Sequence, residues 1–163
     1  MKTTTEISTS PLMTSDQLLA HWQGHRQLTR RVIDAFPEKD LFHYSIGGMR
    51  PFGAMVNELL AIAVPGLKGI ANGQWESLNE DIEVDENKPK LLGLWDQTTL
   101  DIDHWWAKLD PNGWQNTVLT FGQYEGTVLN SILYFIDNEI HHRGQGYVYL
   151  RSLGIEPPYF WEH

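Results

Sequence analysis

Residues 127–153 read TVLNSILYFIDNEIHHRGQGYVYLRSL, and the fold turns on this stretch. Val128, Ile132, Phe135, Ile136, Ile140, Tyr147, Leu150 and Leu153 recur at helical steps, as in a long helix that buries one stripe. Gly154 is placed to end it in left-handed backbone, and Pro157-Pro158 forbids continuation. The middle of the helix is polar, from Asp137 to Gly146, although the turns on either side are apolar. Asn138 and His142 lie one turn apart on one face, a spacing at which two side chains can converge on one metal ion. Arg143 and Gln145 need a buried or shared acceptor there. Gly144 and Gly146 each cost about 1 kcal/mol relative to Ala in a helix, which implies close approach by a neighbouring helix or subunit.

Three more helical patterns precede it. Thr14 with Gln17 forms a capping box for a helix that runs to about Ala35, before Pro37, with Leu18, Leu19, Trp22, Leu28, Val32 and Ile33 as its stripe. Residues 38–49 read as a connection. Pro51 opens a second helix carrying Phe52, Met55, Val56, Leu59, Leu60 and Ala63, which Pro65-Gly66 interrupts, with a short helical piece from Leu67 to Ala71 beyond. Asn72 to Lys88 is polar and acidic and reads as a long surface crossover. Pro89 opens a third helix through Leu91, Trp95, Ile102, Trp106 and Leu109, stopped by Pro111-Asn112-Gly113. Thr117 to Phe121 alternates like a strand but has no evident partner, and is assigned to extended loop. The expectation is an all-α, four-helix bundle with a long crossover connection, as one domain over residues 14–163 behind a flexible segment 1–13.

With 163 residues and 41% apolar side chains, the chain can build one sizeable core. Its net charge of −9 opposes general nucleic-acid binding, which needs a basic surface. The absence of Cys excludes disulfides, thiolate nucleophiles and Cys-bound zinc, so any metal must use His, carboxylate or amide ligands. The Thr-rich start lacks the apolar core of a signal peptide, and no apolar run approaches a membrane span, so a cytoplasmic protein is expected.

The run His141-His142-Arg143-Gly144-Gln145, followed by Tyr149-Leu150-Arg151 and Leu153-Gly154-Ile155-Glu156-Pro157-Pro158, resembles the C-terminal signature of the DinB family. Arg50-Pro51-Phe52-Gly53 at the second helix and the long crossover support the likeness. The resemblance implies the DinB/YfiT-like bundle, commonly a homodimer, holding zinc or nickel on three His. Two of these form a His-x-x-x-His pair ending just before the Arg-Gly-Gln, and one comes from the second helix. Carried onto this chain, the ligand positions are Glu58, Asn138 and His142. Only one imidazole of three remains, which lowers expected affinity and shifts preference toward harder ions. The resemblance therefore implies a metal-dependent small-molecule enzyme, of thiol-transferase or isomerase kind, with a degenerate metal site. The alternative is a metal-free binding or stress-response bundle in which Glu58, Asn138 and His142 form a hydrogen-bonded cluster.

Other signals are weaker. His21 and His25 form a second helical pair, but Leu18 and Trp22 claim the buried face, leaving one or both His toward solvent. His141 and Glu139 read as surface or interface, and His43 and His104 as solvated. Trp95, Trp105, Trp106, Trp114 and Trp161 read as core or interface anchors, and Arg143 and Arg151 as partners of carboxylates such as Asp137 or Glu156. The acidic run 79–87 lacks the EF-hand pattern. Neither a Ser-His-Asp order nor a phosphate-cradling or dinucleotide-binding Gly loop appears.

Overall fold

A computed structural model describes residues 11–163; the part of the expected flexible segment that covers residues 1–10 lies outside the described residues. Four long helices build the bundle: α1 (Ser15–Ala35), α3 (Phe52–Asn72), α4 (Lys88–Trp106) and α5 (Val128–Ser152). α1 packs on α4 and α5, and α3 packs on the same two, so α1 and α3 are diagonal to each other. α5 therefore presents one side to α3 and the adjacent side to α1.

The local signals act as their chemistry requires. Thr14 accepts from the Gln17 amide while Gln17 reaches back to the Thr14 amide, at 3.2 and 2.8 Å. Asn87 caps α4 by accepting from Lys90. Gly73, at φ 72°, ends α3 in the left-handed region before the crossover, whose Val84 is buried as an anchor.

Four expectations are corrected. Residues 38–49 are not all connection, because Glu38–His43 forms a short helix, α2, with Leu41 buried. Pro65 does not interrupt α3: the helix runs through it, held beyond by fully buried Leu67 and by Gly66 against the Phe135 ring. Thr117–Thr120 is not a loop but strand β1, paired antiparallel with β2 (Tyr124–Thr127) across a tight turn. Phe121 and Gly122, at φ 54° and 69°, make that turn. α3 is also long and apolar enough to cross a membrane by composition, contrary to expectation, but its apolar side chains are core.

The core runs the length of the bundle in two clusters. Around Phe36, Phe52, Leu91, Trp95 and Tyr149 lies one; around Trp22, Leu67, Ile102, Trp106 and Ile132 lies the other. Trp95 and Trp106 are buried, whereas Trp161 is 61% exposed. Between the clusters α5 turns polar.

Candidate functional site

The buried stripe of α5 does not follow the expected residues through its middle. Ile140 is exposed, and the inward positions are Asn138, Glu139, His142, Arg143 and Gly146. At about 100° per residue these form two adjacent lines. Asn138 and His142 face α3, while Glu139 and Arg143 face α1.

The line facing α3 meets Glu58. Glu58 Oε1 lies 3.1 Å from Asn138 Nδ2 and 3.1 Å from His142 Nε2. Its other oxygen accepts from Arg50, which lies just ahead of α3, and Arg50 also donates to Glu80 at 3.0 Å. His142 Nδ1 lies 2.7 Å from Gln145 Oε1. Burial pushes the Glu58 carboxyl up, but hydrogen bonds from Arg50, Asn138 and His142 outweigh it and hold the group below its ordinary value. The three positions expected from sequence thus meet at one point, and Arg50, read only as a helix opener, completes the cluster.

Its polarity is the inverse of a metal centre. A cation is held where lone pairs converge; here Arg50, Asn138 and His142 all direct hydrogens at one carboxylate. Glu58 accepts here, so His142 Nε2 directs its hydrogen at the carboxylate, and an ion would have to displace that proton together with the Arg50 and Asn138 donors. The family's metal does not fit this donor set.

The line facing α1 is a buried ionic network, and it corrects the surface reading of Glu139. Glu139 is 2% exposed and accepts from Thr29 at 2.6 Å and from the Trp22 indole at 3.2 Å. Arg26, fully buried, lies 3.8 Å from it, with its guanidinium 3.3 Å from the centre of the Trp95 ring. Burial pulls Arg26 down to about 10, against the opposing pull of Glu139, so it stays charged at neutral pH. Arg143 donates to Thr29 Oγ1, to the His25 carbonyl and to His25 Nδ1, not to Asp137 or Glu156.

His25 links this network to the surface. It is 5% exposed, while its helix neighbour His21 is exposed, their Nε2 atoms 3.2 Å apart. His163 completes a cluster in which one ring nitrogen from each of the three lies within 4.8 Å of the others, and which could hold a metal ion. Gly24 makes room for it, since a Cβ there would stand 2.8 Å from the His163 carbonyl carbon. Sharing an ion would require two changes. His163 stacks on His25 at 4.3 Å and 16°, and stacked rings do not aim lone pairs at one point. Arg143 cannot accept, so it fixes the His25 hydrogen on Nε2, the atom facing His21. The sequence shows His21 and His25 as a helical pair with one or both toward solvent, and Glu139 as surface or interface; His25 and Glu139 are instead buried, and His163, distant in sequence, carries no local signal that would join it to the pair.

A cavity of about 350 Å³ opens beside Glu58, roofed by the hairpin that the sequence reading missed. Ile62, Leu78, Phe121 and Phe135 line it with Tyr124 and Tyr134, and Glu80 and Glu125 stand among them.

The family model for the DinB family matches residues 1–162. The chain belongs to the DinB family. Among solved structures, a DinB-like protein from Bacillus cereus superposes with a TM-score of 0.74 at 15% identity, over 93% of this chain and 100% of that one. A DinB-like protein from Bacillus subtilis gives 0.70 at 18% identity, over 90% and 99%. At such identities these DinB-like structures share the bundle and say nothing of residue roles. No curated protein matches the chain.

Proposed function

We propose that this DinB-family bundle is a cytoplasmic, metal-free small-molecule-binding protein, in which Arg50 supplies at Glu58 the positive charge that a metal supplies in three-His relatives. One observation carries this: three donors close on Glu58 at the position where the family pattern calls for an ion. The adjoining cavity falls in the size range of small-molecule sites. With no metal-activated water or thiol, a thiol-transferase or isomerase mechanism has no nucleophile at His142. Protein purified without a His tag should show no thiol-transfer activity with Zn, Ni or Mn added. Turnover that His142→Ala abolishes would overturn the proposal.

A metal-dependent reading is favoured by a different observation, the His21–His25–His163 cluster. Zinc or nickel held by this chain would then depend on His21 and His163 and be indifferent to Glu58. As a second copy of the chain, the family's usual partner, α5 offers exposed Leu133, Ile140 and Val148 on one side with Gly144 between them. Light scattering of a homodimer weakened by Val148→Glu would support that contact, and a monomer at micromolar concentration would refute it.

A further inference from the structure

The cavity beside Glu58 has walls of one kind and a charge of one sign. Its polar lining includes three carboxylates, Glu58, Glu80 and Glu125, and none of its lining residues is Lys, Arg or His. Arg50 pairs with both Glu58 and Glu80 from outside the lining, so one guanidinium is set against two of the acids. Glu125 projects from β2 at the exposed rim. The remaining walls are aromatic and aliphatic: Phe121, Tyr124, Tyr134 and Phe135 with Ile62 and Leu78. Electron-rich ring faces add to carboxylates in attracting a cation.

We infer that this cavity takes a small amphipathic ammonium compound, its hydrocarbon body against Ile62, Phe121 and Phe135 and its charged end between Glu80, Glu125 and the tyrosines. The inference rests on the binding role proposed above and names its ligand class. It runs against an anionic thiol co-substrate, which would face acids on three sides with no lining cation to meet it. Tyr134 senses the same field: burial first, then the nearby charges of Glu58 and Glu80, push its phenol above the ordinary value. The hairpin is what makes the site. Thr120, Phe121, Tyr124, Glu125 and Gly126 of the hairpin close one side of the cavity, opposite the lining residues of α3 and α5.

Tryptamine and indole-3-propionate, similar in size and opposite in charge, are the probes. Titrated into the full chain at low salt, tryptamine should shift backbone amide resonances of Phe121, Tyr124, Glu125 and Tyr134, and indole-3-propionate should bind at least tenfold more weakly. Glu125→Lys, on the exposed rim where folding does not depend on it, should weaken tryptamine at least fivefold. It should also narrow the preference over indole-3-propionate. Equal or tighter binding of the carboxylate at these residues would reject the charge class while leaving a binding cavity. Absence of shifts at the cavity with either probe would remove both the ligand class and the binding role.

Discussion

Glu139→Ala is the most demanding perturbation of this bundle. The side chain is 2% exposed, accepts from Thr29 at 2.6 Å and from Trp22 at 3.2 Å, and lies 3.8 Å from a fully buried Arg26. Removing it strips two hydrogen bonds and leaves the Arg26 and Arg143 guanidiniums without their buried counter-charge. Removal of one partner of a buried ion pair costs about 3–5 kcal/mol. Such a loss is about a fifth or more of the roughly 5–15 kcal/mol that stabilises a typical domain. Glu139→Gln, which can still accept from Thr29 and Trp22, should lose about half as much. In Arg26→Met/Glu139→Leu, where both charges go, the loss should fall short of the two single losses by at least about 1 kcal/mol. Urea unfolding followed by circular dichroism at 222 nm gives each value. A loss under about 1 kcal/mol for Glu139→Ala, or strict additivity in the double variant, would refute the buried network as a stabilising unit.

Other outcomes follow from the same geometry. Burial, then the charges of Arg143, His21 and His163, lowers His25 to about 3, so the folded state keeps it neutral while the unfolded chain takes up a proton below about 6.5. Stability is therefore complete above pH 6.5 and falls on acidification toward 3, by at most about 1.4 kcal/mol per pH unit from this group. Urea midpoints at pH 7.5 and 5.5 should differ, and His25→Asn should flatten the difference; an unchanged slope would contradict it. Gly146→Ala places a methyl 2.7 Å from the ring of Phe52, which is fully buried and stacked on Phe36, so it should destabilise by about 1–3 kcal/mol despite the gain in helix propensity. A rise in thermal midpoint would show that the ring can yield. Glu58→His/Asn138→His, beside His142, replaces acceptor and amide by lone pairs and, with His21 and His163 changed to Ala in both proteins, should create zinc binding that calorimetry detects at micromolar concentration, where the native cluster should give none. Failure to gain zinc would mean that the three positions do not converge as described.

Much of the scaffold was legible because its signals are local. The Thr14–Gln17 capping box, Pro89 in the first turn of α4 and Gly154 past the end of α5 act through neighbours in sequence, and the apolar steps of α1 and α4 mark their buried faces. The hairpin was missed because β2 (Tyr124–Thr127) carries Glu125 and Gly126 and lacks a strand's apolar alternation, and because the turn puts the bulky Phe121 as well as Gly122 in left-handed backbone. Pro65 was taken as a break because local rules forbid it, yet packing of Leu67 and Gly66 carries the helix on. In α5 the three- and four-residue steps from Phe135 to Tyr149 pass through Glu139, His142, Arg143 and Gly146. Apolar Ile140 drew the stripe off that path because a polar residue was assumed to face water. The convergence of Glu58, Asn138 and His142 was visible only through family spacing, and the part played by Arg50 was not visible at all. A guanidinium that reaches onto α3 from the residue ahead of its N-cap leaves no mark distinct from an exposed Arg.

The central claim, that Glu58 is closed by hydrogen donors and not by a metal, is tested most directly on His21→Ala/His163→Ala protein purified without a tag, so that the separate His cluster cannot contribute. Metal analysis by mass spectrometry after dialysis against Zn or Ni should find well under one equivalent of ion, unchanged by adding His142→Ala. One equivalent retained in the first variant and lost in the second would place a metal at Glu58, Asn138 and His142 and contradict the account.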